Sequence, residues 1–178
     1  NIYYKYISKW YKWRMKTYKL CDIEFEPCID DARNIIKQDK NLYNLIFLDA
    51  FTPSKCPCLW SIEFIKLLYD HLDDDGILLT YSSAAPVRNA MINAGFYIGY
   101  IYNKRLDKYV GTIASKNKDN IKYQISEVDL GLLRTKAGIF YRDENLTGQN
   151  EAIIEERNVE LKNSNLISSS SYKKSHIF

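Results

Sequence analysis

The chain has 178 residues, 46% hydrophobic and 26% charged, with 7 Gly, 4 Pro and 4 Cys, enough for one domain with a real core; this excludes collagenous, low-complexity and disulfide-stapled classes. No apolar run reaches the roughly 20 residues of a membrane-spanning helix, and with no signal-peptide pattern in front of them the cysteines predict reduced thiols in a cytoplasmic protein. The net charge of +3 conceals a split, because residues 1–20 hold Lys5, Lys9, Lys12, Arg14, Lys16 and Lys19 without one acid and the remainder sums to about −3.

Residues 1–20 interleave those cations with Tyr3, Tyr4, Tyr6, Trp10, Tyr11, Trp13 and Tyr18. This predicts a basic aromatic helix packed on the domain, with base stacking as the alternative use of the rings. Residues 21–115 then read as the main α/β domain, and 116–178 as its C-terminal extension. Ile23 to Pro27 alternates like a short or edge strand. Asp30 and Asp31 sit where N-caps belong, ahead of a helix carrying Ala32, Ile35 and Ile36.

The run Leu45-Ile46-Phe47-Leu48 lacks alternation and predicts a parallel strand covered on both faces. It stops at Asp49, the first polar residue beyond it. In open α/β sheets ligands sit beyond the carboxyl ends of the strands, so Asp49 is the leading candidate for ligand contact, against the plainer reading that it opens a turn with Pro53. Leu59 to Leu72 predicts an amphipathic helix, Asp73-Asp74-Asp75-Gly76 a solvated loop, and Ile77 to Tyr81 a second buried strand parallel to the first. Tyr81 and Ser82 therefore belong on the same rim as Asp49, although Ser82 and Ser83 also suit N-capping of a helix from Ala84 to Ala94. Arg88, one turn into that helix, suits a phosphate or a carboxylate. Phe96 to Tyr102 and Val110 to Ala114 predict a closing hairpin. Its loop carries Lys104 and Arg105, which fit phosphate contacts or a solvated turn.

Beyond it, Ser115 to Gln124 predicts a loop, Ser126 caps a helix to Leu133, Glu151 to Leu161 predicts a helix, and the tail from Ser168 a frayed end. His71 and His176 are isolated, and the spacing of Cys21, Cys28, Cys56 and Cys58 differs from that of structural zinc sites, so no metal is expected.

Residues 49–60, Asp-Ala-Phe-Thr-Pro-Ser-Lys-Cys-Pro-Cys-Leu-Trp, resemble the Asp-Ala/Gly-Phe-Ser/Ala-Pro-x-Lys-x-Pro-x-Leu/Met-Trp signature of the MnmC-type methyltransferases. Further matches follow in order: Asp31-Ala32-Arg33, Thr80-Tyr81-Ser82 with Val87-Arg88, Ala94-Gly95-Phe96, Gly111-Thr112 and Tyr141-Arg142-Asp143. The resemblance implies an incomplete class I, Rossmann-like methyltransferase sheet with strands 3, 4, 5, 7 and 6 of the order 3-2-1-4-5-7-6. The glycine-rich loop after strand 1 and the acidic end of strand 2 are missing. With Asn1 in place of Met, this predicts an N-terminally truncated piece, inactive alone.

The implied reaction moves a methyl group from S-adenosylmethionine to the aminomethyl nitrogen of 5-aminomethyl-2-thiouridine at the tRNA wobble position. The implied partners are a tRNA anticodon stem-loop and, on the preceding step, a separate flavin oxidase. Asp31, Ala32, Asp49 and Ala50 would contact the cofactor, and Phe51, Pro53, Lys55, Tyr81, Ser82, Arg88, Lys104 and Arg105 the substrate. Asp49 would hold an amine N–H and stabilise the developing ammonium. The same charge raises the amine's pKa and so opposes the free base. Two alternatives stay beside this reading: a non-catalytic nucleic-acid-binding or scaffold fragment of the same fold, and an amine methyltransferase with another substrate.

Overall fold

The structure is a computed structural model that describes residues 18–20 and 23–176. Most of the basic aromatic segment, residues 1–17, therefore lies outside the described residues. The end of the expected helix is strand instead, since β1 (Tyr18–Leu20) pairs antiparallel with β2 (Ile23–Phe25). Helix α1 (Ala32–Gln38) starts at Asp31, whose carboxylate accepts the Arg33 N–H at 2.9 Å.

The main sheet has four strands in the order β3 (Tyr43–Phe47), β4 (Leu72–Thr80), β6 (Lys108–Ser115), β5 (Tyr97–Asn103). β3 and β4 run parallel, while β6 slots antiparallel between β4 and β5. This is the closing hairpin that the sequence predicts. Between β3 and β4, Pro57–Leu59 forms a 3-10 turn and α2 (Ile62–Asp70) begins at Ser61, whose hydroxyl accepts the Phe64 N–H. The expected helix thus starts three residues later, because Pro57 opens a tighter turn first. Helix α3 (Ala85–Ala94) ends at Gly95, whose φ of 109° is the left-handed value that glycine tolerates at a helix end.

One face of the sheet is the core. Leu78 and Ala114 are fully buried there beneath Phe64, Ile65 and Leu68 of α2 and Val87, Ala90 and Met91 of α3. The other face is open at its β3 edge, where Leu45 is 45% and Phe47 71% exposed. The expectation that Leu45–Leu48 is covered on both faces is corrected: among the described residues β3 is an edge strand with helices on one side only, so Leu48 is buried while Leu45 and Phe47 are exposed. Asp73–Asp75 are corrected too. They lie within β4, in a break of register opposite Tyr43 and Leu45, so the acidic run forms a bulged strand and not a loop. Gly76 is needed at that break, because a Cβ would come within 2.9 Å of the Tyr43 carbonyl oxygen and of Leu72.

The extension contains α4 (Glu127–Leu133), capped by Ser126, then α5 (Asn150–Asn163) and α6 (Ser169–His176). The tail is helix to His176 and not frayed: the Ser168 hydroxyl accepts the Ser171 N–H, and Tyr172 docks over Gly131, where any Cβ would collide with its phenol. Among the described residues no helix is long and apolar enough to cross a membrane.

Candidate active site

The carboxyl ends of β3 and β4 open onto a cleft of about 440 Å³, lined by Leu48 and Asp49 after β3, Leu79 on β4 and Tyr81 just past it, and Ile101 and Val110 of the β5–β6 hairpin. The sequence places Asp49 and Tyr81 together on this rim, and they line one cavity. Main-chain pairing continues past the end of β3 through the Leu48 N–H to the Leu79 carbonyl at 2.9 Å, which carries the chain to Asp49 in extended form. Asp49 is exposed, and its carboxylate has no ion pair or side-chain hydrogen bond among the described residues. An unpaired anion on an apolar rim attracts a cation with N–H or sulfonium character.

The loop after Asp49 is held from two sides. Tyr81 donates its hydroxyl to the Ala50 carbonyl at 2.8 Å, and the Trp60 indole N–H donates to the Phe51 carbonyl at 2.7 Å. Trp60 is fully buried and meets Tyr81 edge to face, with centroids 6.1 Å apart. Thr52 adds a turn by accepting the Lys55 and Cys56 N–H groups. The backbone is thereby fixed while the side chains stay available: Phe51 is 80% exposed, Lys55 is exposed and Pro53 half-buried. Trp60 is the residue that sequence reasoning left without a role. Its signal was present, since the motif ends on it.

Two arginine-centred networks tie elements around the sheet together. Arg33, 8% exposed, reaches Asp31 and Asp143, both through contacts of 2.6 Å, and donates to the Gly148 carbonyl at 2.9 Å. Asp143 in turn accepts the Thr147 and Gly148 N–H groups, and its own N–H donates to Glu63 on α2. The guanidinium hydrogen bond lowers the Asp31 pKa from its ordinary value, and the two carboxylates together raise that of Arg33 against the opposing effect of burial. The Tyr141-Arg142-Asp143 motif thus gains a purpose: it closes on Asp31-Ala32-Arg33 across 110 residues of chain. Asp31 and Ala32 do not line the Asp49 cleft. Asp31 nevertheless keeps about a third of its side chain exposed, so its oxygens retain a solvent side.

The second network is internal. The Arg88 Nε–H donates to Thr112 Oγ1 at 3.0 Å, its Nη1 pairs with Asp129 at 3.0 Å, and its carbon lies 5.0 Å from the Tyr100 ring centroid. The Thr112 hydroxyl in turn donates a hydrogen bond to the Ser82 carbonyl at 2.7 Å. Arg88 is therefore not placed to grip a substrate phosphate or carboxylate, because burial to 5% exposure and these partners commit its guanidinium. Ser82 is also buried, accepts loosely from the Ala84 N–H at 3.4 Å, and does not cap α3, which starts at Ala84 without a side-chain cap. Neither Ser82 nor Arg88 lines the cleft. Gly111 lets β6 approach here, since a Cβ would fall 2.3 Å from the Thr80 carbonyl oxygen. Lys104 and Arg105 are exposed at the tip of the hairpin, in a turn closed by Asn103 Oδ1 accepting the Arg105 and Leu106 N–H groups.

Among the described residues no group of three or more His, Cys, Asp or Glu is arranged to hold a metal. The Cys56 and Cys58 sulfurs lie 3.7 Å apart; burial, then the contact with Cys56, pushes the Cys58 thiol up to about 11.

Residues 1–131 match the model of a family described as S-adenosyl-L-methionine-dependent methyltransferase. An uncharacterized protein of Methanocaldococcus jannaschii is 38% identical over 131 residues, covering 72% of this chain and 36% of its own length. The tRNA 5-methylaminomethyl-2-thiouridine biosynthesis bifunctional protein MnmC of Burkholderia vietnamiensis is 35% identical over 81 residues, or 42% of this chain and 12% of that protein. The crystal structure of MnmC2 from Aquifex aeolicus superposes with a TM-score of 0.75 at 26% identity, covering 90% of this chain and 52% of that one. The chain thus spans about a third of the archaeal relative and half of the solved structure.

Proposed function

The chain belongs to the family of S-adenosyl-L-methionine-dependent methyltransferases, and from that premise we propose that it forms the acceptor side of an enzyme methylating the aminomethyl nitrogen of 5-aminomethyl-2-thiouridine at the tRNA wobble position. The observation that carries the reading is the carboxylate of Asp49, unpaired among the described residues, at the open rim of the parallel pair, on a loop pinned by Tyr81 and Trp60. The names of the MnmC relatives support the tRNA substrate.

The residues fit the cofactor. The cleft falls within the usual size range of small-molecule sites, its walls are largely apolar, and its exposed carboxylate suits a cationic group. Asp49 and Ala50 would hold the cofactor, with Asp31 and Ala32 contributing through the solvent side of the Asp31 carboxylate. When bound, it supplies a methyl group on a positively charged sulfur. Asp49 orients the acceptor amine by accepting one of its N–H bonds and stabilises the positive charge that grows on nitrogen. Phe51 and Pro53 form the wall beside the base, and Lys55, Lys104 and Arg105 meet backbone phosphates.

The edge of β3 that no strand among the described residues covers, with Leu45 and Phe47 exposed, is where the strands carrying the family's glycine-rich loop would pair. The test is methyl transfer from labelled S-adenosylmethionine to tRNA bearing 5-aminomethyl-2-thiouridine, using protein made from the full coding sequence. Label appearing in the wobble nucleoside is expected; label confined to another nucleoside, or absent from tRNA, overturns the assignment.

A further inference from the structure

The β5–β6 hairpin has two sides. Ile101 and Val110 on one side line the Asp49 cleft, while the neighbouring Tyr100, Tyr102 and Tyr109 gather with Tyr123 in one aromatic cluster. Tyr109 stacks on Tyr100 with centroids 4.4 Å apart and 25° between planes. Tyr102 and Tyr123 meet its edges at 5.6 and 6.0 Å. The cluster is anchored below: Tyr100 hydrogen-bonds Asp129 at 2.9 Å and is flanked by the buried guanidinium of Arg88. It ends above in Tyr109, a ring left 53% exposed.

A tyrosine more than half exposed at the end of a fixed stack is poor economy for a core and well suited to receiving another flat ring. Around its exposed end cations outnumber acids. Lys104, Arg105, Lys108 and Lys122 are exposed near the cluster, with Asp107 as the acid in the turn, bonded to the Tyr102 hydroxyl. Lys122 also lies 5.3 Å from the Tyr123 centroid. Aromatic faces interleaved with cations are the chemistry that holds unpaired nucleotides, where bases stack and phosphates meet the cations.

We propose that the Tyr100–Tyr102–Tyr109–Tyr123 cluster is a stacking platform for single-stranded RNA, with Tyr109 receiving an unpaired base on the side of the hairpin away from the Asp49 cleft. The choice of tRNA as the RNA's source rests on the function proposed above; the platform geometry does not. Lys104 and Arg105 then hold the backbone on either side of the stacked base.

The experiment is fluorescence anisotropy of the protein with a labelled RNA stem-loop carrying an unpaired loop, and with the same strand annealed to its complement, at two salt concentrations. Tyr109→Ala is expected to weaken stem-loop binding about 10-fold, as loss of one base stack does, while Tyr109→Phe binds like the parent. Lys104→Ala and Arg105→Ala should each lower the salt slope by about 0.7, the mark of a lost single-strand phosphate contact. Circular dichroism melts, with Tyr102→Ala as a second variant, separate lost affinity from lost fold. Tyr109→Ala binding the stem-loop within twofold of the parent overturns the proposal, as does equal binding of stem-loop and duplex. Tyrosine-dependent RNA binding without methyl transfer sinks the enzymatic reading and leaves the platform standing. Methyl transfer at limiting RNA unaffected by Tyr109→Ala does the reverse.

Discussion

Asp143 and Asp49 are both acidic residues of sequence motifs, and the structure treats them in opposite ways. Asp143 is 5% exposed and saturated: Arg33 supplies its counter-charge and two backbone N–H groups complete its shell. Asp49 is exposed on a rim, with its backbone held by neighbours and its carboxylate left unpaired among the described residues. Saturated charge holds elements together, whereas unsatisfied charge on a rigid support is available to a ligand. Motif residues therefore divide into those that hold elements together and those left free on the rim. Arg33, Arg88, Thr112 and Asp143 fall in the first group.

The division breaks most visibly at Arg33. Arg33→Met leaves Asp143 buried without its cation and frees Asp31, and should cost about 3–5 kcal/mol, lowering the melting temperature by roughly 6–20 °C. A thermal melt by circular dichroism reads this directly; a midpoint within about 2 °C of the parent would show that the ion pairs do not hold the extension to the core.

A smaller loss is expected at Thr112→Val. It removes the donor to the Ser82 carbonyl and the acceptor for the Arg88 Nε–H, both buried, and should cost about 1–3 kcal/mol in urea unfolding. If the urea midpoint does not move, the second network is ornamental and Arg88 becomes available to a ligand after all.

The smallest effect is in acid. Because the Arg33 hydrogen bond depresses the folded Asp31 pKa, this pair's stabilisation is complete above the unfolded carboxylate value near 3.8 and fades as pH falls below it through the folded value. Urea midpoints of Asp31→Asn and parent should therefore differ at pH 7 and converge below about pH 4. A difference that persists at low pH would assign the effect to the N-cap alone.

The sequence reading was good where signals are local and weak where they are not. Apolar runs and one turn marked β3, β4, β5 and β6, the family resemblance implied their order, and the caps at Asp31 and Ser126 sit on residue types that cap. The coverage of β3 was misjudged, because a continuous apolar run says that a strand is buried and not how many faces its neighbours cover. Asp73–Asp75 misled in the opposite direction: three acids suggest a loop, yet a register break lets them ride on a bulge of β4. Asp49 and Tyr81 were legible since both follow strand ends on the same rim. Arg33 with Asp143 was not, as nothing local announces a contact 110 residues away. Nor was the tyrosine cluster, which only the pairing of Tyr102 with Tyr109 assembles.

The most direct test of the distinction between holding and using is Asp49→Asn, which keeps shape and polarity and removes the charge. Methyl transfer to tRNA should fall by about 10²–10³-fold, the usual loss when a group aimed at developing charge is removed, while the melting temperature stays within about 2 °C of the parent, as for an exposed residue. Near-parental turnover with the fold intact would contradict the account, since the carboxylate that lines the cleft would then take no part in the chemistry.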